Sequence, residues 1–417
     1  MQILGVYIQV PFCAAKCTFC NFYTWVARPG DIDRYRQALS REITKLRESY
    51  QADGISTRLL ELPVDTLYLG GGNPALLGWA AWAELVQLMW AEFQRGAPLE
   101  FTVEITPSAT DLTTLTALRG LGVNRLSIGA QSFNARELRA VGRLHSADTT
   151  RQLMQAARAA GFTNVSLDLV AGLPYQTPGS WLESLAEAAR LQPQHLSIYL
   201  LEIDEKSRLG REVLQGGTRY HAPALPDEEF LLEAYATAQD YLQKLGYQQY
   251  EISNFALPGH ESRHNQKYWR LEPYVGLGAG AHSYYGTQRW ANEVEPETYS
   301  NRLAGGKNPI VEIRTLTPEQ QMEEFFFLGL RERRGVNLTA ARARWGPALV
   351  ARWQEVIDRL CQEGWLEHAA GWVRLTDQAL LVSNEVFQQF LLDPRQKPEP
   401  APAGAFKEQA REKGSGL

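Results

Sequence analysis

Six short runs of β-branched and apolar residues recur through the first half of the chain, separated by segments of helical period, and this alternation restricts the fold more than any other feature. The runs are GVYIQV (5–10), DTLYLG (65–70), EFTVEI (100–105), NRLSIG (124–129), NVSLDL (164–169) and HLSIYL (195–200). Segments 32–46, 80–93 and 149–162 carry apolar residues at i, i+3 and i+4 between them. Short strands covered by helices on both sides read as repeated βα units around a parallel sheet. Six units ending near residue 201 fit better than eight, which predicts an α/β fold built on a partial (βα)6 TIM-like barrel.

Beyond the sixth run, residues 202–310 are mixed in pattern, with one clear helix at 227–246. From Thr317 the character changes. EQQMEEFFFLGLRERRG, LTAARARWG and ALVARWQEVIDRLCQEG predict three helices, followed by WLEH, a turn at Ala370-Gly371, WVRLT and a last helix through NEVFQQFLL. The expected organisation is therefore a barrel with its connecting region over 1–310, a smaller helical, winged-helix-like domain over 311–392, and a tail over 393–417. That tail is rich in Pro, Gly, Ala and charge and is predicted to be disordered.

A winged helix invites a DNA-binding reading. Residues 317–392 hold eight arginines and no lysine against ten acidic residues, and the whole chain of 417 residues carries a net charge of -5, so no nucleic-acid partner is expected. The start has no basic n-region before an apolar core, and no apolar stretch is long enough to span a bilayer, which predicts a cytoplasmic protein. Four cysteines in so long a chain, three of them within eight positions, do not make a secreted disulfide framework. In a reducing compartment such a group points to a metal site.

The three lie in PFCAAKCTFCNF as Cys13, Cys17 and Cys20, just beyond the first strand, at the end of the sheet where this architecture keeps its chemistry. Three thiolates can hold three irons of a cubane cluster and leave the fourth iron open to an exogenous ligand. A structural zinc completed by a distant histidine, or three buried thiols, are the alternatives; zinc in structural sites takes four protein ligands, and neither Cys361 nor a histidine is near in sequence. Gly70, Gly71 and Gly72 follow the second strand, where missing Cβ atoms let the backbone approach a ligand or simply turn the chain. Glu104 at the end of the third strand, Gln131 just after the fourth and Asp168 at the end of the fifth can accept from ribose hydroxyls or an ammonium group. Arg143 can pair with a ligand carboxylate or lie on a solvated helix face.

CAAKCTFC resembles the radical S-adenosylmethionine signature. YIQVPFCAAKCTFC, LYLGGGNP, TVEITP, LSIGAQSF, SLDLVAGLPYQT, HNQKYW and GLGAGAHS occur in the order found in the oxygen-independent coproporphyrinogen III dehydrogenase family, most like its heme-chaperone branch. The resemblance implies a 4Fe-4S cluster on Cys13, Cys17 and Cys20 whose open iron binds S-adenosylmethionine, cleaved by one electron to a 5'-deoxyadenosyl radical. It implies that Tyr7, Gly71 and Glu104 touch this molecule. Phe19, Gly72, Asn73, Gln131, Arg143 and Asp168 match positions that hold a second one in the dehydrogenases.

The departures favour the chaperone branch. Phe22 stands where the dehydrogenases carry a further cysteine, and only twelve residues precede Cys13 where they have a long extension. Gln9 replaces a usual histidine and Asn73 a usual threonine, which counts against a second S-adenosylmethionine. In HNQKYW, His264 offers an axial ligand for heme beside the flat faces of Tyr268 and Trp269, with His282 a weaker candidate. The implied task is to bind heme as cargo and deliver it to cytoplasmic or membrane-associated apoproteins, with a flavodoxin or ferredoxin as electron donor. A radical enzyme, a methyltransferase or a porphyrinogen dehydrogenase, is the rival reading, and coproporphyrinogen III dehydrogenase activity is not expected.

Overall fold

The computed structural model describes residues 2–108 and 110–391, and the tail expected over 393–417 lies outside them. Six parallel strands form the centre: β1 (Leu4–Val10), β2 (Val64–Gly71), β3 (Arg95–Ile105), β4 (Arg125–Gln131), β5 (Val165–Ala171) and β6 (His195–Leu200), hydrogen-bonded in that order. Each contains one of the six predicted runs, or all but a residue of it. The largest difference is β3, which begins at Arg95 instead of residue 100.

A period of two divides these strands chemically. Val6, Ile8, Leu67, Leu69, Phe101, Val103, Leu126, Ile128, Leu167 and Leu196 join one apolar core under the helices. The intervening residues Thr66, Tyr68, Thr102, Arg125, Ser127, Ser166, His195 and Ser197 are also buried yet polar. The barrel interior is thus a polar chamber inside an apolar sleeve, as expected when one face packs on helices and the other lines a site.

The covering helices are α1 (Asp31–Thr44), α2 (Trp79–Glu92), α3 (Leu112–Gly120), α4 (Ala147–Ala159), α5 (Pro178–Arg190) and α6 (Glu228–Lys244). Their starts are chemically marked: Ser146 with Thr149 and Thr177 with Ser180 form reciprocal caps, satisfying otherwise orphaned backbone donors of α4 and α5. The predicted helix 32–46 is interrupted at Lys45, where α1 ends and a separate turn of helix, Leu46–Ala52, begins.

The region of mixed pattern turns out to build both flanks of the sheet. β7 (Asn254–Ala256) runs antiparallel beside β6. β8 (Tyr274–Leu277) lies parallel to β1 on its free side, with Gly5 opposite Tyr274, and β9 (His282–Tyr285), β10 (Gln288–Asn292) and β11 (Ile310–Thr315) continue antiparallel. With the two-residue edge strand Gln248–Gln249 beyond β7, the result among the described residues is a twelve-stranded sheet. Four-residue YVGL is too short to display a period, which is why the seventh parallel strand was not expected. Because β11 belongs to this sheet, we propose the domain boundary at Leu316 instead of 310.

Between β7 and β8 runs α7 (Arg263–Trp269), which closes the end of the barrel where the strands begin. The C-terminal unit starts with α8 (Pro318–Gly329), capped reciprocally by Thr317 and Gln320. Its last long predicted helix is split into Pro347–Ala351 and Gln354–Gln362, with Trp353 buried between them and its indole N–H donating to Phe390 O at 2.9 Å. A three-stranded sheet of Val336–Asn337, Leu366–Ala369 and Trp372–Leu375 completes the wing, and Met322, Phe326, Val350, Leu360 and Phe390 give the unit its own core.

Candidate functional site

The carboxyl ends of β1 to β6 open into a cavity of about 490 Å³. Cys13, Cys17 and Cys20 line it, each a free thiol and half-buried. Their loop is held from three directions. Thr18 N–H donates to Val141 O at 3.1 Å, Leu209 N–H donates to Thr18 O at 2.8 Å, and Arg208 donates to Lys16 O. Asn21 Nδ2 donates to Asp204 Oδ2 at 3.3 Å. Residues 204–209 thus clasp the thiol loop, a role with no periodic signal in this stretch of sequence.

The residues present fit a cluster. A Cβ at Gly72 would stand 2.3 Å from Phe12 O and 2.9 Å from Cys13 Sγ, so only glycine leaves room beside that thiol. Burial, followed by the nearby Cys20, pushes the Cys13 thiol up to about 11, a cost that iron coordination removes. Among the described residues no three or more His, Cys, Asp or Glu side chains are grouped to hold a single metal ion. Three free thiols that line one cavity can each take a different iron of a cluster.

Glu104 lies at the cavity wall. Its Oε1 accepts from Tyr68 Oη at 2.9 Å and its Oε2 from Gly71 N–H at 3.0 Å, with Gly71 at a φ of 108° that favours glycine. Burial is the main reason its carboxyl is held up at about 7, with Asp168 adding to the rise and Arg125 opposing it. Asp168 stands in the middle of β5 and not at its end, accepting from Ser127 Oγ at 3.2 Å and Ser166 Oγ at 3.3 Å, and burial raises it as well. Gln131 is the last residue of β4 and has a φ of 64°. That strained turn is fixed from behind by fully buried Glu137, which accepts from Ser132 Oγ at 2.6 Å, Ser180 Oγ at 2.5 Å and Gln176 Nε2 at 3.1 Å. The serine of LSIGAQSF and the glutamine of LPYQT therefore tie two loops together.

Phe19, Gly71, Gly72, Asn73, Gln131 and Arg143 also line the cavity. Asn73 is engaged at both ends of its amide: Nδ2 donates to Thr106 Oγ1 and Oδ1 accepts from Ala75 N–H, both at 3.1 Å. Tyr7 is the exception. It does not line the cavity: its ring packs on both Tyr68 and His264, which also touch each other, and its hydroxyl donates to Gln9 Oε1 at 2.6 Å.

HNQKYW lies at the opposite end of the barrel. Glu100 accepts from the backbone N–H groups of Arg263 and His264, both at 3.0 Å, and Lys267, almost fully buried, pairs with Asp65 at 2.8 Å. His264 is 1% exposed, and both ring nitrogens are occupied, Nδ1 by Thr66 Oγ1 at 2.9 Å and Nε2 by Tyr268 Oη at 2.8 Å. Burial, then Lys267, holds its imidazole down at about 3, so it is neutral. The structure brings His264, Tyr268 and Trp269 together as a floor, with no face of the ring open to a porphyrin iron. His282 is exposed on β9, away from the cavity lining.

A CxxxCxxC thiol loop at the mouth of a partial βα barrel, with a glycine backbone and buried carboxylates facing it, defines the arrangement of a radical S-adenosylmethionine protein. Residues 7–188 match the Radical SAM superfamily and residues 316–382 the HemN C-terminal domain. The chain is 35% identical over 389 residues to the heme chaperone HemW of Bacillus subtilis, covering 93% of this chain and 99% of that one. To HemW of Escherichia coli it is 30% identical over 404 residues, with 94% and 98% covered. Coproporphyrinogen III oxidase (HemN) of Escherichia coli superposes with a TM-score of 0.80 at 25% identity, over 93% of this chain and 90% of that one. The chain belongs to the HemW family of radical S-adenosylmethionine proteins, and membership implies a 4Fe-4S cluster and S-adenosylmethionine.

Proposed function

We propose that this chain binds heme and passes it to apoproteins, using a 4Fe-4S cluster on Cys13, Cys17 and Cys20 and one S-adenosylmethionine at the open iron. When bound, the cluster would supply a single electron to the sulfonium, with a cytoplasmic flavodoxin or ferredoxin as its donor. Gly71 and Glu104 present backbone and carboxylate groups to the ligand ammonium, and Asp168 accepts from ribose hydroxyls. Gln9 and Asn73, in place of the usual histidine and threonine, favour one S-adenosylmethionine over two.

The observation that carries the heme reading is the rim of the thiol cavity. Phe22 and Leu144, 67% and 68% exposed, present apolar faces to solvent beside the cavity they line. Exposed apolar side chains grouped at a mouth mark a ligand surface. We assign heme contact to this rim and a structural role to HNQKYW, since His264 has no unoccupied nitrogen. Phe22 also leaves no thiol where the dehydrogenases have one.

Anaerobic, cluster-loaded protein titrated with heme and then mixed with an apoprotein acceptor tests the proposal. Saturable heme binding followed by transfer is expected, with no conversion of coproporphyrinogen III under reducing conditions with S-adenosylmethionine. Steady turnover of that porphyrinogen would establish the enzyme reading instead.

A further inference from the structure

Arg143 does more in this fold than line the cavity. Its guanidinium makes three directed contacts: Nη2 donates to Gly129 O at 2.5 Å, Nε to His145 Nδ1 at 3.4 Å, and Nη1 to Cys17 Sγ at 3.6 Å. A planar fork engaged at three corners cannot rotate away from the sulfur. His145, which the sequence reading passed over, is buried, and its Nε2 stands 2.9 Å from Ala130 O. A carbonyl can only accept, so Nε2 carries the hydrogen and Nδ1 is left as the acceptor for Arg143. The chain of contacts runs from two successive carbonyls of β4, through His145 and Arg143, to a thiol of the cluster loop.

We propose that Arg143 is a hydrogen-bond donor to a cluster sulfur that stabilises the reduced cluster, and that His145 is the positioning residue that aims it. The inference rests on the cluster reading above and deepens it. A cation donating to a thiolate sulfur favours the more negatively charged oxidation state, and hydrogen bonds to sulfur are one of the levers that set a cluster's potential. The same arginine would serve a different purpose if it clamped the carboxylate of a second S-adenosylmethionine. In that case it would leave the potential unchanged when no S-adenosylmethionine is present.

The test is the midpoint potential of the reconstituted full chain, read by electron paramagnetic resonance during reductive titration without S-adenosylmethionine, alongside iron content. Arg143→Gln should fill with iron and shift to a more negative potential. His145→Phe should shift the same way by less, while His145→Gln, which retains an acceptor for Arg143 and a donor for Ala130, should return to the wild-type value. Wild-type potentials in both Arg143→Gln and His145→Phe at full iron content would overturn the proposal. If Arg143→Gln fails to retain iron, the two His145 variants decide, and equal potentials in them overturn it. Zinc without iron in the wild-type chain would bring down the cluster reading itself, a result distinct from an unshifted potential.

Discussion

The two ends of the barrel are built from similar residue types and behave oppositely. At the floor, Lys267 meets Asp65, Glu100 caps the backbone of α7, and His264 has a partner at each nitrogen. At the mouth, three free thiols face a cavity, Gln131 is held at positive φ, and Glu104 sits near its ionisation point at about 7. Both ends hold residues that could ligate a metal or a heme in name, yet the chemistry of the floor is closed. What separates a site from a scaffold here is unmatched bonding capacity next to open space, and not the density of ligating residue types.

The largest expected effect breaks the comparison most cleanly. Anaerobically loaded wild-type protein should carry about four irons per chain. Cys17→Ala should lose most of that iron, while His264→Ala should retain it. Equal loss in both variants would mean that the floor supports the cluster and that the two ends are not independent.

Glu104 comes next. Glu104→Ala should keep the iron and weaken S-adenosylmethionine binding by about 1.5–3 kcal/mol, the range for a hydrogen bond to a charged group, or roughly ten- to a hundredfold. Calorimetry on iron-matched samples checks it, and parallel loss of iron would mark the carboxylate as a support of the fold. Its pH dependence has a definite sign. Because the folded carboxyl is raised to about 7, ligand affinity should climb as pH rises through that value and the anion forms. Stability should move the other way: the contribution of the neutral buried acid is present below the ordinary glutamate range near 4.5 and is lost as pH rises toward about 7.

Much of the mouth was legible because its chemistry is carried by local pattern. CxxxCxxC and GGGNP each follow a strand with a clear period, and the strands fix where their loops emerge. Gly72 is recognisable as a ligand-side glycine before its contacts with Phe12 and Cys13 are known. What stayed hidden is non-local. Asp204, Arg208 and Leu209 reach the thiol loop across more than 180 residues of sequence, and nothing in IDEKSRLG signals that. His145 acts through Arg143 and Ala130, so its role exists only in three dimensions. The reading of HNQKYW as a heme ligand set meets the same limit: a His beside Tyr and Trp looks alike in sequence whether its nitrogens are open or, as in the structure, engaged by Thr66 and Tyr268. Tyr7, expected to touch the ligand, packs beside Tyr68 and His264 and does not line the cavity, a placement its strand pattern alone does not reveal.

At the floor the prediction is energetic. His264→Ala leaves Thr66 and Tyr268 without their shared partner in a buried place, which should cost about 2–3 kcal/mol of stability. Denaturant unfolding reads it, and the heme spectrum should not change. A displaced Soret band in a stably folded His264→Ala protein would return the heme to the floor and reverse the assignment of the two ends.

The smallest expected effect on the fold is the sharpest probe of the rim. Leu144 is 68% exposed, so Leu144→Ser removes little packing, and its stability should stay within about 0.5 kcal/mol of wild type. If heme rests on this rim, the same change deprives the porphyrin of an apolar contact worth about 1.5 kcal/mol, and heme affinity should fall roughly tenfold. The matched substitution at a distance is Leu214→Ser, because Leu214 is 64% exposed but does not line the cavity. It should leave both stability and heme affinity unchanged. Two equally exposed leucines then differ only in which surface they occupy, and equal heme affinities in the two variants would remove the rim as the docking place while leaving the thiol site intact.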